Sequence, residues 1–163
     1  MTIRAATESD LPALTEIYNY EVLNGTATFD IHPKTVEERR GWFLEHNRSN
    51  HPLIVAEEDG EVLGYASLSA YCEKEAYSSA VELSVYVAPD ARGKGAATAL
   101  LGEILNSARN DPRTHAVISV ITAGNAASVH LHERFGFSLC GTLREVGVKF
   151  GKRLDVLNYE LLV

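Results

Sequence analysis

Arg92-Gly93-Lys94-Gly95-Ala96-Ala97-Thr98 joins an apolar, β-branched run, Val81–Val87, to a segment of helical apolar spacing. Two glycines let the backbone turn sharply and approach a ligand without Cβ atoms in the way. The helix that follows presents unpaired N–H groups and the positive end of its dipole, which together bind phosphate. Arg92 and Lys94 add local positive charge. Two better-known phosphate motifs fit poorly. A P-loop needs Ser or Thr after its lysine, where this chain has Gly95, and a dinucleotide fingerprint needs a third glycine where Thr98 stands. Taken alone, the stretch reads more readily as a basic surface turn.

Glu82 is the one acidic residue inside the apolar pattern of Val81–Val87. Burial there would raise its pKa toward the range of a general base, whereas exposure would make it a glutamate on the wet face of a sheet. His132 lies one turn from Val129 on a helix-patterned segment, either as a proton donor or as a structural side chain. His32, His46, His51, His115 and His130 have no ligand spacing, and His130 and His132, two apart, face different ways on a helix. No metal is therefore expected. No Gly-x-Ser-x-Gly elbow supports a serine hydrolase, and Cys72 and Cys140 are too few for a disulfide framework and read as small buried apolar residues.

The elements that must position these residues are legible from pattern. Thr2–Ala5 is a short strand. Ser9-Asp10 before Leu11-Pro12 starts a helix that Asn24-Gly25 ends, and Thr26–Ile31 is a β-prone connection. Thr35-Val36-Glu37-Glu38 is a capping box opening a helix to about His46. Leu53–Glu57 and Glu61–Ser69 form a hairpin through Asp59-Gly60, and the polar Ala70–Ser79 leads into Val81–Val87. Ala97, Leu100, Leu101, Ile104, Leu105 and Ala108 make a broad helical stripe. Ala116–Ile121, apolar on both faces, is an interior strand, and Asn125–Phe135 a helix closed by Gly136. Strands at about Leu139–Phe150 and Arg153–Leu162 turn at Gly151-Lys152.

At 163 residues, without linker, repeat or low-complexity tract, one domain spanning 1–163 is expected: an α/β (α+β) fold with a mixed sheet and helices on its faces. A net charge of −7 excludes a sequence-independent nucleic-acid binder, which needs a basic face. With no signal-peptide pattern or membrane-length apolar run, the expectation is a soluble, cytoplasmic protein without a membrane partner.

Arg92-x-x-Gly95-x-Ala97 resembles the coenzyme A-binding signature of the GNAT superfamily of N-acetyltransferases, and Asn125-x-x-Ser128 with Leu131–Phe137 resembles its second segment. More narrowly, the chain is similar to the phosphinothricin / methionine sulfoximine acetyltransferase family. The carrying pieces are Glu16–Asn19, Thr26–Phe29, Ala76-Tyr77, Val81–Val87, and Gly147-x-Lys149-Phe150-Gly151-Lys152-x-x-Asp155. The resemblance runs from Ile3 to Leu161.

It implies a GNAT fold with a mostly antiparallel twisted sheet, and acetyl transfer from acetyl-CoA to the primary amine of a small amino-acid-like substrate by direct attack. Main-chain groups of Val85, Tyr86 and Val87 would hold the pantetheine arm and acetyl carbonyl. The loop and first helical turn of Arg92, Gly93, Lys94, Gly95, Ala96, Ala97 and Thr98 would wrap the pyrophosphate, with Asn125 and Arg134 on other parts of the coenzyme. Glu82 would assist deprotonation, and His132 either protonates the leaving thiolate or caps the cavity. Phe29 and Tyr77 would wall the acceptor pocket, and a homodimer is implied.

One departure bears on the acceptor. Relatives usually carry a carboxylate-gripping arginine in the loop before Ala-Tyr. Here Cys72 stands there, and Lys74, between two glutamates, is the loop's only cation. The alternatives are a catalytically silent acyl-CoA-binding module and a peptide or protein N-acetyltransferase.

Overall fold

The short-range signals form as their residues dictate. Thr35 Oγ1 accepts the Glu38 N–H at 3.1 Å while the Glu38 carboxylate accepts the Thr35 N–H at 2.6 Å, so the capping box closes from both sides. Asp59 and Gly60 both take positive φ, +52° and +84°, as a two-residue hairpin turn requires. The apolar stripe Leu100, Leu101, Ile104, Leu105 and Ala108 is buried throughout.

This computed structural model describes residues Met1–Val163. In chain order the elements are β1 (Thr2–Ala5), α1 (Leu11–Asn24), α2 (Val36–Leu44), β2 (Leu53–Glu58), β3 (Glu61–Ala70) and β4 (Ala80–Val87). They are followed by α3 (Ala96–Asn110), β5 (Ala116–Thr122), α4 (Ala126–Arg134), β6 (Ser138–Lys149) and β7 (Lys152–Leu162). The seven strands form one sheet in the order β1-β2-β3-β4-β5-β7-β6, antiparallel except between β4 and β5.

Strand alternation divides the core between two faces. Ile54 and Ala56 of β2 join the larger cluster built on α3, while Leu53 and Val55 join a smaller one with Leu14 and Ile17 of α1. Val129 and Leu131 of α4 and Phe135 at its C-cap pack on the α3 side, and Trp42 and Phe43 of α2 on the α1 side. Helices thus cover both faces of the sheet.

Several expectations need correction. Asp10 does not cap α1 with its side chain; a 3-10 turn, Glu8–Asp10, precedes the helix, and the Asp10 carboxylate instead binds Arg4 and the Thr7 N–H. No strand forms over Thr26–Ile31. The last hairpin turns at Phe150-Gly151, both at positive φ, one residue earlier than expected. Cys140 is exposed because β6 is an edge strand, and Cys72 is half-buried in the β3–β4 connection. Val120, expected in the interior, is 42% exposed. The reason for that last difference is the feature on which the site depends.

Candidate active site

β4 and β5 pair only at Ala80↔Ala116, Val81↔Val117 and Glu82↔Ile118, and then part. Each follows its other neighbour: β4 stays with β3 through Val87, and β5 stays with β7 through Thr122. A cleft of about 870 Å³ opens in the fork, which exposes Val120.

The register decides which backbone groups face that fork. Ala88 donates to Leu63 C=O at 2.8 Å and Tyr71 to Ala80 C=O at 3.3 Å, and the β3–β4 register between them is unbroken. Even-numbered residues of β4 therefore exchange hydrogen bonds with β3, while Leu83, Val85 and Val87 turn their N–H and C=O groups toward the departed β5. This corrects the expectation for Tyr86, whose main chain belongs to β3; only its side chain lines the cleft.

Side chains follow the same parity. Val81 and Leu83 sink into the α3 core, and Glu82, Ser84 and Tyr86 face α1 and α2, opposite Ser69, Ser67 and Tyr65 of β3. Glu82 makes no hydrogen bond or ion pair, and burial alone pushes its carboxyl up from the ordinary glutamate value. A carboxylate shifted that way is a better proton acceptor near neutral pH. At the other end Tyr86 stacks against Tyr65 and edge-on to Tyr18, with ring centroids 5.4 and 5.5 Å apart.

On the far bank, His132 is buried, and its Nδ1 lies 2.8 Å from Ser128 C=O. A carbonyl only accepts, so Nδ1 carries the proton and Nε2 keeps a lone pair. Loss of hydration holds the imidazole below its ordinary pKa, against the opposing pull of Ser128 C=O, so the neutral form dominates at pH 7. Asn125 lines the cleft and caps α4 by accepting the Ser128 N–H.

At the mouth, Gly93 and Gly95 take φ of +75° and +86°, a conformation that L side chains rarely adopt. The first helical bond of α3 is Ala99 N–H to Gly95 C=O, which leaves the amides from Gly93 to Thr98 without a partner in the chain. Arg92 and Ala97 line the cleft; the Arg92 guanidinium pairs with Glu21. Lys94 is exposed beside it, and Ala96 turns its methyl into the core.

Thr26–Asp30 has no regular structure, yet two of its carbonyls and the Asp30 carboxylate hold it in place. Thr122 Oγ1 donates to Thr26 C=O at 2.6 Å, Lys149 Nζ to Thr28 C=O at 2.9 Å, and the Tyr18 hydroxyl to Asp30 at 2.6 Å. The loop is thereby tied to α1, β5 and β6, and it carries Phe29 to the cleft wall. Lys149 is buried and also bonds Glu21 C=O at 3.1 Å.

Residues 14–137 match the model of the acetyltransferase (GNAT) family. The chain belongs to the GNAT family. It is 44% identical to the phosphinothricin N-acetyltransferase of Streptomyces coelicolor, over 97% of this chain and 94% of that protein. It superposes with a TM-score of 0.96 on the ribosomal-protein-alanine N-acetyltransferase of Brucella melitensis, 45% identical and covering 100% of both chains. A GNAT phosphinothricin acetyltransferase from Sinorhizobium meliloti, solved with AcCoA, is 36% identical with a TM-score of 0.94, over 99% of this chain and 88% of that one.

The cleft of this GNAT acetyltransferase brings together Glu82, Val85, Val87, Arg92, Ala97, Asn125, His132 and Phe29, drawn from distant parts of the sequence. It does not include Arg134, which is exposed in the last turn of α4, whereas the first two turns face the cleft. Lys74 and Tyr77 also lie outside it, because the β3–β4 connection is exposed and Tyr77 packs edge-on to Tyr71 at 5.8 Å. Sequence reading missed Tyr18, Arg39, Trp42 and Tyr65, whose convergence has no local signature. No cluster of three or more His, Cys, Asp or Glu is placed to hold a metal ion, and no helix is long and apolar enough to cross a membrane.

Proposed function

We propose that this GNAT acetyltransferase moves the acetyl group of acetyl-CoA to the primary amine of a small amino-acid-like acceptor, of the phosphinothricin or methionine sulfoximine type, by direct attack in a ternary complex. The observation that carries the reading is that one strand serves both substrates. Val85 and Val87 offer free backbone groups to the fork, while the Glu82 carboxyl, on the same strand, faces the α1/α2 side. The unpaired amides of Gly93–Thr98 fit a pyrophosphate, and the Val85 or Val87 N–H fits the developing oxyanion.

Glu82 takes the ammonium proton, directly or through water, because an ammonium has no lone pair with which to attack. The amine then attacks the thioester carbonyl, the tetrahedral intermediate collapses with cleavage of its C–S bond, and the second proton of the nitrogen passes to the departing thiolate, directly or through water. No cysteine lines the cleft to carry an acetyl-enzyme, which favours direct transfer. His132, neutral and already donating through Nδ1, caps the cavity rather than acting as the acid.

The tied loop Thr26–Asp30 narrows the acceptor side and favours a small molecule over a peptide. The name of the Brucella melitensis neighbour supports the peptide alternative, so both belong in one test. Thiol release from acetyl-CoA is measured over phosphinothricin, methionine sulfoximine, other amino acids, polyamines and peptides. Turnover of amino acids is the expected result, and turnover of peptides alone would overturn the reading.

We also infer a homodimer. The twelve-residue edge strand β6 and its turn expose Leu139, Leu143, Val146, Val148 and Phe150, and an unpaired apolar edge calls for a cover. Light scattering reads the mass, and a monomer at micromolar concentration refutes the dimer.

A further inference from the structure

Two buried side-chain polar atoms lack a hydrogen-bond partner, Arg39 Nε and Ser119 Oγ, and both belong to residues lining the cleft. Such atoms are rare in folded proteins and call for an explanation. Arg39 is the more telling, because it also carries a charge.

Arg39 sits in the middle of α2 and is only 7% exposed. Its guanidinium carbon lies 4.2 Å from the Tyr18 ring centroid and 3.9 Å from that of Trp42, so the plane is clamped between two aromatic faces. Nη2 donates to the Tyr65 hydroxyl at 3.2 Å. Nε has no acceptor, and Nη1 has none either but keeps some exposure. None of the chain's ion pairs includes Arg39. The carboxylate one tyrosine away, Asp30, is engaged by the Tyr18 hydroxyl and by Lys34. The other cleft cation, Arg92, has Glu21.

A cation withdrawn from water is costly unless an anion meets it, and aromatic faces offset only part of that cost. Clamping also holds the fork in one orientation, which suits bidentate recognition of a carboxylate. The floor beneath has a polarity. Along paired β3 and β4 run Tyr65/Tyr86, then Ser67/Ser84, then Ser69/Glu82. Arg39 stands at the tyrosine end and Glu82 at the other, about 13 Å of strand away, with small serines between them. An amino-acid acceptor lying along that floor with its ammonium toward Glu82 would turn its carboxylate toward Arg39.

From this geometry we infer that Arg39 binds the carboxylate of the acceptor, taking the place of the arginine missing at Cys72. The inference rests on the amino-acid-like reading above and adds the residue that selects for it.

The test compares kcat/KM of the wild type, Arg39→Gln and Arg39→Lys on L-methionine sulfone, its α-carboxamide and its decarboxylated amine. The wild type should prefer the carboxylate, and Arg39→Gln should shrink that preference by about 30-fold or more, chiefly through acceptor KM. Arg39→Lys, which keeps the charge but loses the fork, should fall between, with acetyl-CoA KM unchanged in both. A structural clamp would weaken all three acceptors alike, and an unchanged carboxylate-to-amide ratio in either folded variant overturns the inference. Should wild type turn over only peptides, the amino-acid reading fails and the inference with it. Should it turn over amino acids while the ratio survives substitution, only the inference fails.

Discussion

Gly147 offers a probe of the proposed acceptor wall that leaves the proposed reacting groups untouched. A Cβ built there would lie 2.6 Å from Phe29 Cδ2 and 2.8 Å from Cζ, and closer still to Cε2. Ordinary carbon contacts are about 3.5–4.0 Å, so Gly147→Ala requires the ring to retreat by about 1 Å. Gly147 is not at positive φ, so alanine brings no backbone strain. The strand cannot yield easily, since Gly147 pairs with Leu154 and two residues on Lys149 is fixed by two carbonyls. Phe29 is partly exposed and at a loop position, so it should move instead. Misplacement of a positioning group by about 1 Å can cost up to 100-fold in rate. Steady-state kinetics should show a fall of about ten- to 100-fold in acceptor kcat/KM with acetyl-CoA KM unchanged. Thermal unfolding should shift by only a few degrees, corresponding to about 1 kcal/mol. Unchanged acceptor kinetics with a large drop in Tm would refute the reasoning, because the hairpin would then have yielded in place of the ring.

Glu82→Gln should lower kcat by about 10²- to 10⁴-fold in a thiol-release assay while acetyl-CoA binding persists. As the proposed base, Glu82 can act only once deprotonated, and burial raises its pKa. Activity should therefore be lost as pH falls through an apparent pKa above the usual carboxylate range, a limb that Glu82→Gln abolishes. The same upward shift means the folded state holds this proton more tightly than the unfolded one. The Glu82 contribution to stability is then lost as pH rises through the folded pKa, and at neutral pH Glu82→Gln should melt higher than wild type. His132→Gln should change kcat by less than about tenfold with the alkaline pH profile intact. Loss of an alkaline limb would instead make His132 the acid.

Much of this protein was legible where the deciding interactions are local. The capping box at Thr35, the turn at Asp59-Gly60, the α3 stripe and the glycines of Arg92–Thr98 each depend on residues within a few positions of one another. Periodicity and turn chemistry report such interactions directly. The family, too, was readable, because its motifs occur in order along the chain. Hidden were the relations set by sheet order. The parting of β4 from β5 arises because each strand has another partner, and that parting, not the composition of Val81–Val87, frees Val85 and Val87 while engaging Tyr86. Lys149 reaches Thr28 across 121 positions, and Gly147 serves Phe29 from as far away. Arg39 lies in a segment that reads as an ordinary amphipathic helix, with a charged residue on either side. Only when α2 packs against α1 and β3, with Tyr18, Trp42 and Tyr65 around the guanidinium, does one of several arginines become a buried, unpaired cation beside Glu82's cleft. Residue types and spacing singled out the loop and the carboxylate on which the proposed function rests; desolvation and convergence, which exist only in the folded chain, decided which other side chains share their cleft.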